Sequence, residues 1–191
     1  MRKIILASKS KARKKLLKQL GINFVTASSN VKEDHKLLGS CKGLVISNAL
    51  AKAKDVAARF ERGIVIAADT VVLADKKIIG KPRNMKDAAN TLKLLSRKPQ
   101  WVYTGIAVID IDKRKTLTDY EKTKIYMIPL SDRMIKKYFT KVSPLDHAGS
   151  FDIQGFGGIF IDRIEGCFYN VVGLPVAKLA KLLAKVGINI F

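Results

Sequence analysis

Cysteine and histidine are almost missing from this chain, with two residues of each among 191. Cys41 and Cys167 have no paired spacing and no supporting histidines, which argues against a disulfide framework and against a zinc site. Long apolar runs are lacking too. None reaches the roughly 18 residues that a membrane-spanning helix needs, so no span is expected. The opening Met1-Arg-Lys-Ile-Ile-Leu-Ala is too short for the apolar core of a signal peptide and reads as a strand, so the expected location is the cytoplasm. Internal repeats, low-complexity tracts and linkers are absent. Acidic residues are few: 16 against 36 Lys and Arg, a net charge of +20. Such a field draws polyanions, and nucleic-acid binding is one reading of it. The lysines, however, recur on the polar faces of helices throughout. Along the sequence no stripe of aromatics interleaves with them as a single-strand platform would require, so nucleic acid is not expected.

What is present is an α/β pattern over a length that suits one domain or two tightly packed lobes. Lys3 to Ala7 reads as a strand, Ser8-Lys9-Ser10 as a turn, and Lys11 to Leu20 as a helix closed by Gly21. Phe24 to Ala27 reads as a second strand, and Leu44 to Phe60 as an amphipathic helix. Asn84, with Asp87 three residues on, caps a helix carrying Ala88, Leu92 and Leu95. Trp101 to Ile111 and Leu117 to Ile128 read as strands joined around Asp112-Lys113-Arg114. Ser131 opens a helix to Phe139, and a glycine-rich connection from Gly149 to Gly158 leads to a strand from Ile159 to Ile164. Pro175 and Gly187 frame the last helix.

A carboxylate interrupts the most apolar stretch, Gly63-Ile-Val-Ile-Ala-Ala-Asp69-Thr70-Val-Val-Leu73, which otherwise reads as a buried strand. An ionised Asp there is costly unless cations, donors or a metal surround it. Asp69 is therefore either a site residue or a strand-end Asp satisfied by backbone amides. The chain then turns at Gly80-Lys81-Pro82, which presents a cation.

Three further places could do chemistry. In Ala7-Ser8-Lys9-Ser10-Lys11-Ala12-Arg13 a strand passes through two hydroxyls into a helix N-terminus, where free amides and Arg13 would make a phosphate site. The glycines of a Walker loop are missing, and the plainer reading has Ser10 as an N-cap and Arg13 on the surface. Glu33 follows a strand in a polar stretch, and Lys52 sits on the border of its helix's apolar face. A solvated loop carboxylate and a snorkelling lysine explain the two equally well. The loop Pro144-Leu-Asp-His-Ala-Gly149-Ser-Phe-Asp-Ile-Gln154-Gly155-Phe-Gly-Gly158 is dense in glycine, which lets backbone approach a ligand closely. It is otherwise a long connection, though with an Ile-Gln-Gly unusual for a spacer.

Taken together, these blocks resemble the Maf family of nucleotide pyrophosphatases, the septum formation proteins, over nearly the whole chain. Leu6-Ala-Ser-Lys-Ser10 with Arg13 is similar to the family's opening motif, and Asn48-Ala-Leu-Ala-Lys52-Ala to its helix motif. Ala68-Asp69-Thr70-Val-Val with Gly80-Lys81-Pro82 resembles the central one. Asp146-His-Ala-Gly149, Ile153-Gln154-Gly155 and Val171-Val-Gly-Leu-Pro175 resemble the closing one.

The resemblance implies an elongated two-lobed α/β fold over residues 1–191, similar to inosine triphosphate pyrophosphatases, with a central cleft and a usual homodimer. It implies hydrolysis of a nucleoside triphosphate to the monophosphate and pyrophosphate with a divalent metal, Asp69 accepting the proton of the water that attacks the α-phosphorus. Thr70 with Gln154 matches the branch acting on dTTP and UTP. The other readings are a 7-methyl-GTP or inosine-type pyrophosphatase, and a non-catalytic nucleic-acid or septum-associated binding protein. Two positions depart from the pattern. Ala12 replaces an arginine at a position linked to substrate choice, and His147 replaces a lysine, exchanging a permanent cation for one that titrates near neutrality. Lys9 and Lys11 flank the lost arginine but cannot offer its planar fork.

The residues suit that chemistry on their own terms. Attack on a phosphoanhydride calls for several cations and a metal. Arg13, Lys52, Lys81 and the amides after Ser8 and Ser10 can supply the first. Glu33 and Asp69 are hard carboxylates suited to Mg²⁺ or Mn²⁺. Whether Asp69 acts as a base or chiefly as a metal ligand stays open at this level.

Overall fold

A computed structural model describes residues 2–33 and 40–190. The expected α/β pattern folds into a mixed sheet with helices packed on it. In chain order the elements are β1 (Ile4–Leu6), α1 (Lys11–Gln19), β2 (Val25–Thr26), α2 (Cys41–Ala57), β3 (Ile64–Ala74), β4 (Lys77–Ile79), α3 (Met85–Leu95) and β5 (Gln100–Asp110). Then follow β6 (Lys115–Met127), α4 (Asp132–Phe139), β7 (Ile161–Glu165), α5 (Phe168–Val172) and α6 (Val176–Ala184). The sheet order is β2-β1-β3-β5-β6-β7, with β4 paired to β3. β1 runs parallel to both neighbours, Ile5 lying opposite Val25 and Val65. β4 and β7 are antiparallel to β3 and β6.

The chain divides into two compact units, and the long strands contribute residues to both. The first comprises Met1–Thr70, Thr104–Glu121 and Gly173–Phe191; the second comprises Val71–Tyr103 and Lys122–Val172. Each has its own core. In the first, Ala49, Ala53 and Val56 of α2 meet Ile5, Val65, Ala67, Ala107 and Ile109 from the strands. The small residues on this helix face set its distance from the sheet. At Gly105 in β5 a Cβ would fall 2.2 Å from the carbonyl oxygen of Val45, so the α2 backbone lies directly against the strand there. In the second unit, Leu92, Leu95, Ile135, Tyr138, Phe151 and Phe160 close over Val72, Val102 and Ile125. Each large aliphatic side chain buried in this way contributes about 1.5–3 kcal/mol.

One ion-paired corner closes the first unit. Arg2 donates to Asp110 at 2.9 Å, to Asp112 at 2.8 Å and to the Val186 carbonyl at 3.0 Å. The Asp110 carboxylate is fully buried, and its bonds to the Arg2 guanidinium hold its pKa below the usual carboxylate range.

The structure departs from the sequence expectation at four places. α2 starts earlier, at Cys41, because the Ser40 hydroxyl accepts from the Gly43 amide at 3.1 Å and caps it. The reversal after β3 comes before Gly80: Asp75 and Lys76 have φ of 49° and 63°, the left-handed pair of a tight hairpin turn, without the Asn or Gly that would announce it. The glycine-rich connection is built from short 3₁₀ turns, and the last of these takes up Phe156–Phe160, delaying the final strand to Ile161. α5 has only five residues, too few for a readable period. Among the described residues, no helix is long and apolar enough to cross a membrane.

Candidate active site

Asp69 stands in β3 with 3% of its surface exposed, and its oxygens are met by side chains rather than backbone amides. Lys52 Nζ lies 2.6 Å from its Oδ1, and Asn48 Nδ2 donates to its Oδ2 at 3.0 Å. Asn48 and Lys52 are four residues apart on α2 and so share one face. The close approach at Gly105 places that face against the strands. Lys52 does not snorkel to water: it is 8% exposed, and its ammonium also reaches Glu33 Oε1 at 2.7 Å. One buried cation therefore joins two carboxylates, one from a strand and one from the polar segment after β2. Three hydrogen-bond donors of Lys52 suffice for this, and the Ala68 carbonyl lies 3.5 Å from the same nitrogen.

A second cluster in the same unit surrounds Arg13. Ser10 is the N-cap of α1, its hydroxyl accepting from the Arg13 amide at 3.3 Å. Ser8 accepts from the Ser10 amide at 3.2 Å and faces Arg13 Nη1 at 3.4 Å. Arg13 is half-buried and not a free surface cation. Its Nε donates to the Gly173 carbonyl at 2.8 Å and its Nη2 to Thr70 Oγ1 at 2.9 Å. Thr70 Oγ1 in turn lies 2.9 Å from Thr104 Oγ1. Burial lowers the Arg13 pKa, while the charges of Asp69 and Glu33 oppose that shift. A desolvated guanidinium of this kind binds an incoming anion more strongly than one in water. Gly173 has a φ of +107°, which favours glycine, and a Cβ there would touch both Thr70 and the guanidinium.

The first unit thus brings together Ser8, Ser10, Arg13, Glu33, Lys52, Asp69 and Thr70. Ala12 lies on α1 beside them in sequence, half-buried. Lys81 and Gln154 belong to the second unit. Lys81 is exposed on its corner, and the Gly149 amide donates to the Gly80 carbonyl at 3.2 Å, tying the closing loop to that corner. The Gln154 backbone is held by Asp152, whose carboxylate accepts from its amide at 2.9 Å. Gly157 sits where a Cβ would fall 2.7 Å from the Asp152 carbonyl, so this glycine serves the turn itself.

Thr104 was not among the residues singled out from sequence, and Asn48 was named only as the first residue of the helix motif, with no role of its own. Asn48 had a signal, being a polar residue on the apolar stripe of Val45, Ala49, Ala53 and Val56. Thr104 had none that separates it from any strand threonine. Among the described residues, no group of three or more His, Cys, Asp or Glu side chains could hold a metal.

Comparison with known proteins agrees with the motif pattern. The profile of the Maf-like protein family matches residues 3–186. A dTTP/UTP pyrophosphatase of Methanosarcina barkeri is 43% identical over 192 residues, covering 100% of this chain and 98% of that protein. Proteins of the same description from Clostridium tetani and Bacillus cereus are 41% and 44% identical, covering 97% and 100% of this chain and 98% of each relative. Among solved structures, the Staphylococcus aureus Ham1 protein aligns over 66% of this chain and 72% of its own with a TM-score of 0.46 and 15% identity, too distant a likeness to bear on function. With a full-length profile match and relatives above 40% identity across the whole sequence, the chain belongs to the Maf-like protein family.

Proposed function

We propose that the protein is a nucleoside triphosphate pyrophosphatase that hydrolyses dTTP and UTP to the monophosphate and pyrophosphate. The observation that carries the reading is the buried Asp69 carboxylate held by Lys52 and Asn48 in a chain whose full-length relatives are described as dTTP/UTP pyrophosphatases. Held at both oxygens, Asp69 is fixed in orientation, as a group that takes a proton from an attacking water at the α-phosphorus must be. Lys52 balances the two carboxylates and supplies a cation as charge builds on the phosphates. In this reading Arg13, with Ser8 and the first amides of α1, receives phosphate oxygens, supported by the positive end of the helix and the guanidinium one turn in. Lys81 adds a further cation in this reading, and Gln154 with Thr70 contributes to selection of the base.

The donor set suits a divalent metal. Glu33 and Asp69 are hard oxygen ligands that already share one cation, and two carboxylates with substrate phosphates and water is the usual way Mg²⁺ or Mn²⁺ is held. Such an ion, when bound, would neutralise phosphate charge and favour the ionised form of water. Action in the cytoplasm is part of the same proposal. A homodimer, the assembly usual for the family, is part of the proposal and is read by light scattering.

The test is turnover of dTTP, UTP, ATP and dGTP with Mg²⁺ or Mn²⁺, with products separated. Pyrophosphate and monophosphate are expected, with the pyrimidine substrates fastest. Orthophosphate and a diphosphate would overturn the reaction, whereas a purine preference would overturn only the substrate assignment.

A further inference from the structure

The second unit gathers aromatics and cations that lie far apart in sequence onto one face of the sheet. Trp101 and Tyr103 come from β5, Lys122, Lys124 and Tyr126 from β6, and Arg163 from β7. Within β5 and β6 these positions alternate with Val102, Thr123 and Ile125, which are buried on the other side. Lys122 Nζ lies 3.7 Å from the Trp101 ring centre and 5.6 Å from that of Tyr103. Lys124 Nζ lies 5.5 Å from the Trp101 centre and 4.9 Å from that of Tyr126, and Arg163 Cζ is 3.6 Å from the Tyr126 centre. Three rings and three cations therefore interleave. One acid, Glu165, lies on the same face: it stands opposite Lys124 in register, bonds the Tyr126 side chain and pairs with Arg163 at 3.1 Å, so the three cations exceed it by two charges. Lys122 and Arg163 are exposed, and the rings and Lys124 are half-buried.

We propose that this face binds single-stranded nucleic acid. Its cations take backbone phosphates, and its rings stack bases as the lysines swing from the ring faces to the backbone. The interleaving missing along the sequence is created by strand pairing. Charge complementarity favours a polyanion over a second copy of this chain, because a symmetric contact would set Lys122, Lys124 and Arg163 against their own counterparts. The proposal does not depend on the hydrolytic reading.

Trp101 is the only tryptophan, so its fluorescence reports this face alone. The intact protein is titrated with a mixed-sequence DNA of about 12 nucleotides lacking terminal phosphates, a length in the range one such platform covers. Quenching is expected, with a log–log salt slope of about −2 for three neutralised phosphates. Lys122→Gln with Lys124→Gln should weaken binding tenfold or more and flatten the slope. Lys15→Gln with Lys18→Gln, exposed positions on α1 with the same loss of charge, should change it less than threefold. Tyr126→Ala should weaken it about fivefold or more while leaving the reporter in place, with Tyr126→Leu as the substitute if the alanine variant does not fold. Asp69→Asn should bind the DNA as the parent does, which separates this face from the proposed nucleotide site. Four results would each overturn the proposal: no quenching, equal weakening by both lysine pairs, loss of binding in Asp69→Asn, or a dimer in light scattering without DNA that Tyr126→Ala converts to monomer, which would give this face to a second copy.

Discussion

Lys52 holds two carboxylates on one ammonium, and with 8% of its surface exposed it has little water to share the load. Separating such a group from its partners is costly, since it leaves uncompensated charge in the interior. Substitution at Asp69 gives the cleaner test, because asparagine keeps the shape and a carbonyl for Lys52. Asp69→Asn is expected to lower kcat by about 10²-fold or more, the usual loss on removing a general base, with circular dichroism and Tm close to the parent. Near-normal turnover would mean that the carboxylate serves only as the partner of Lys52. Asp69 was legible because a charge in an apolar strand demands an explanation, and Arg13 because it follows two hydroxyls at a helix start. Glu33 was less so, since nothing in Ser28 to Glu33 distinguishes a ligand from a solvated loop.

The elements hold these residues at the right distance because α2 lies against β5 with almost nothing between them. Gly105→Ala would drive a Cβ into the Val45 carbonyl, which as helix backbone cannot rotate away. The variant is expected to lose about 1–3 kcal/mol in urea unfolding, the ordinary cost of overpacking, and to lose turnover as well because Asn48 and Lys52 ride on the displaced helix. An unchanged rate would show that the α2 contact does not position the site. Sequence periodicity located α1, α3, α4 and the long strands, whose apolar residues repeat over enough turns to be read. It could not locate β4 or α5, which span three and five residues. Nor could it show the ring and lysine face of β5, β6 and β7, whose pattern exists only once the strands are side by side.

At the scale of the whole molecule, a net charge of +20 and two compact units frame the account. The charge alone decided nothing, as lysines on solvated faces draw any polyanion. What separates a nucleotide hydrolase from a merely basic protein is the point at which the phosphate chain is cut. Turnover of dTTP in ¹⁸O-labelled water, with both products analysed by mass spectrometry, reads that point directly. The account predicts one labelled oxygen in thymidine monophosphate and none in pyrophosphate, because in the proposed reaction the water directed by Asp69 attacks the α-phosphorus. Label in pyrophosphate, or release of labelled orthophosphate, would contradict it.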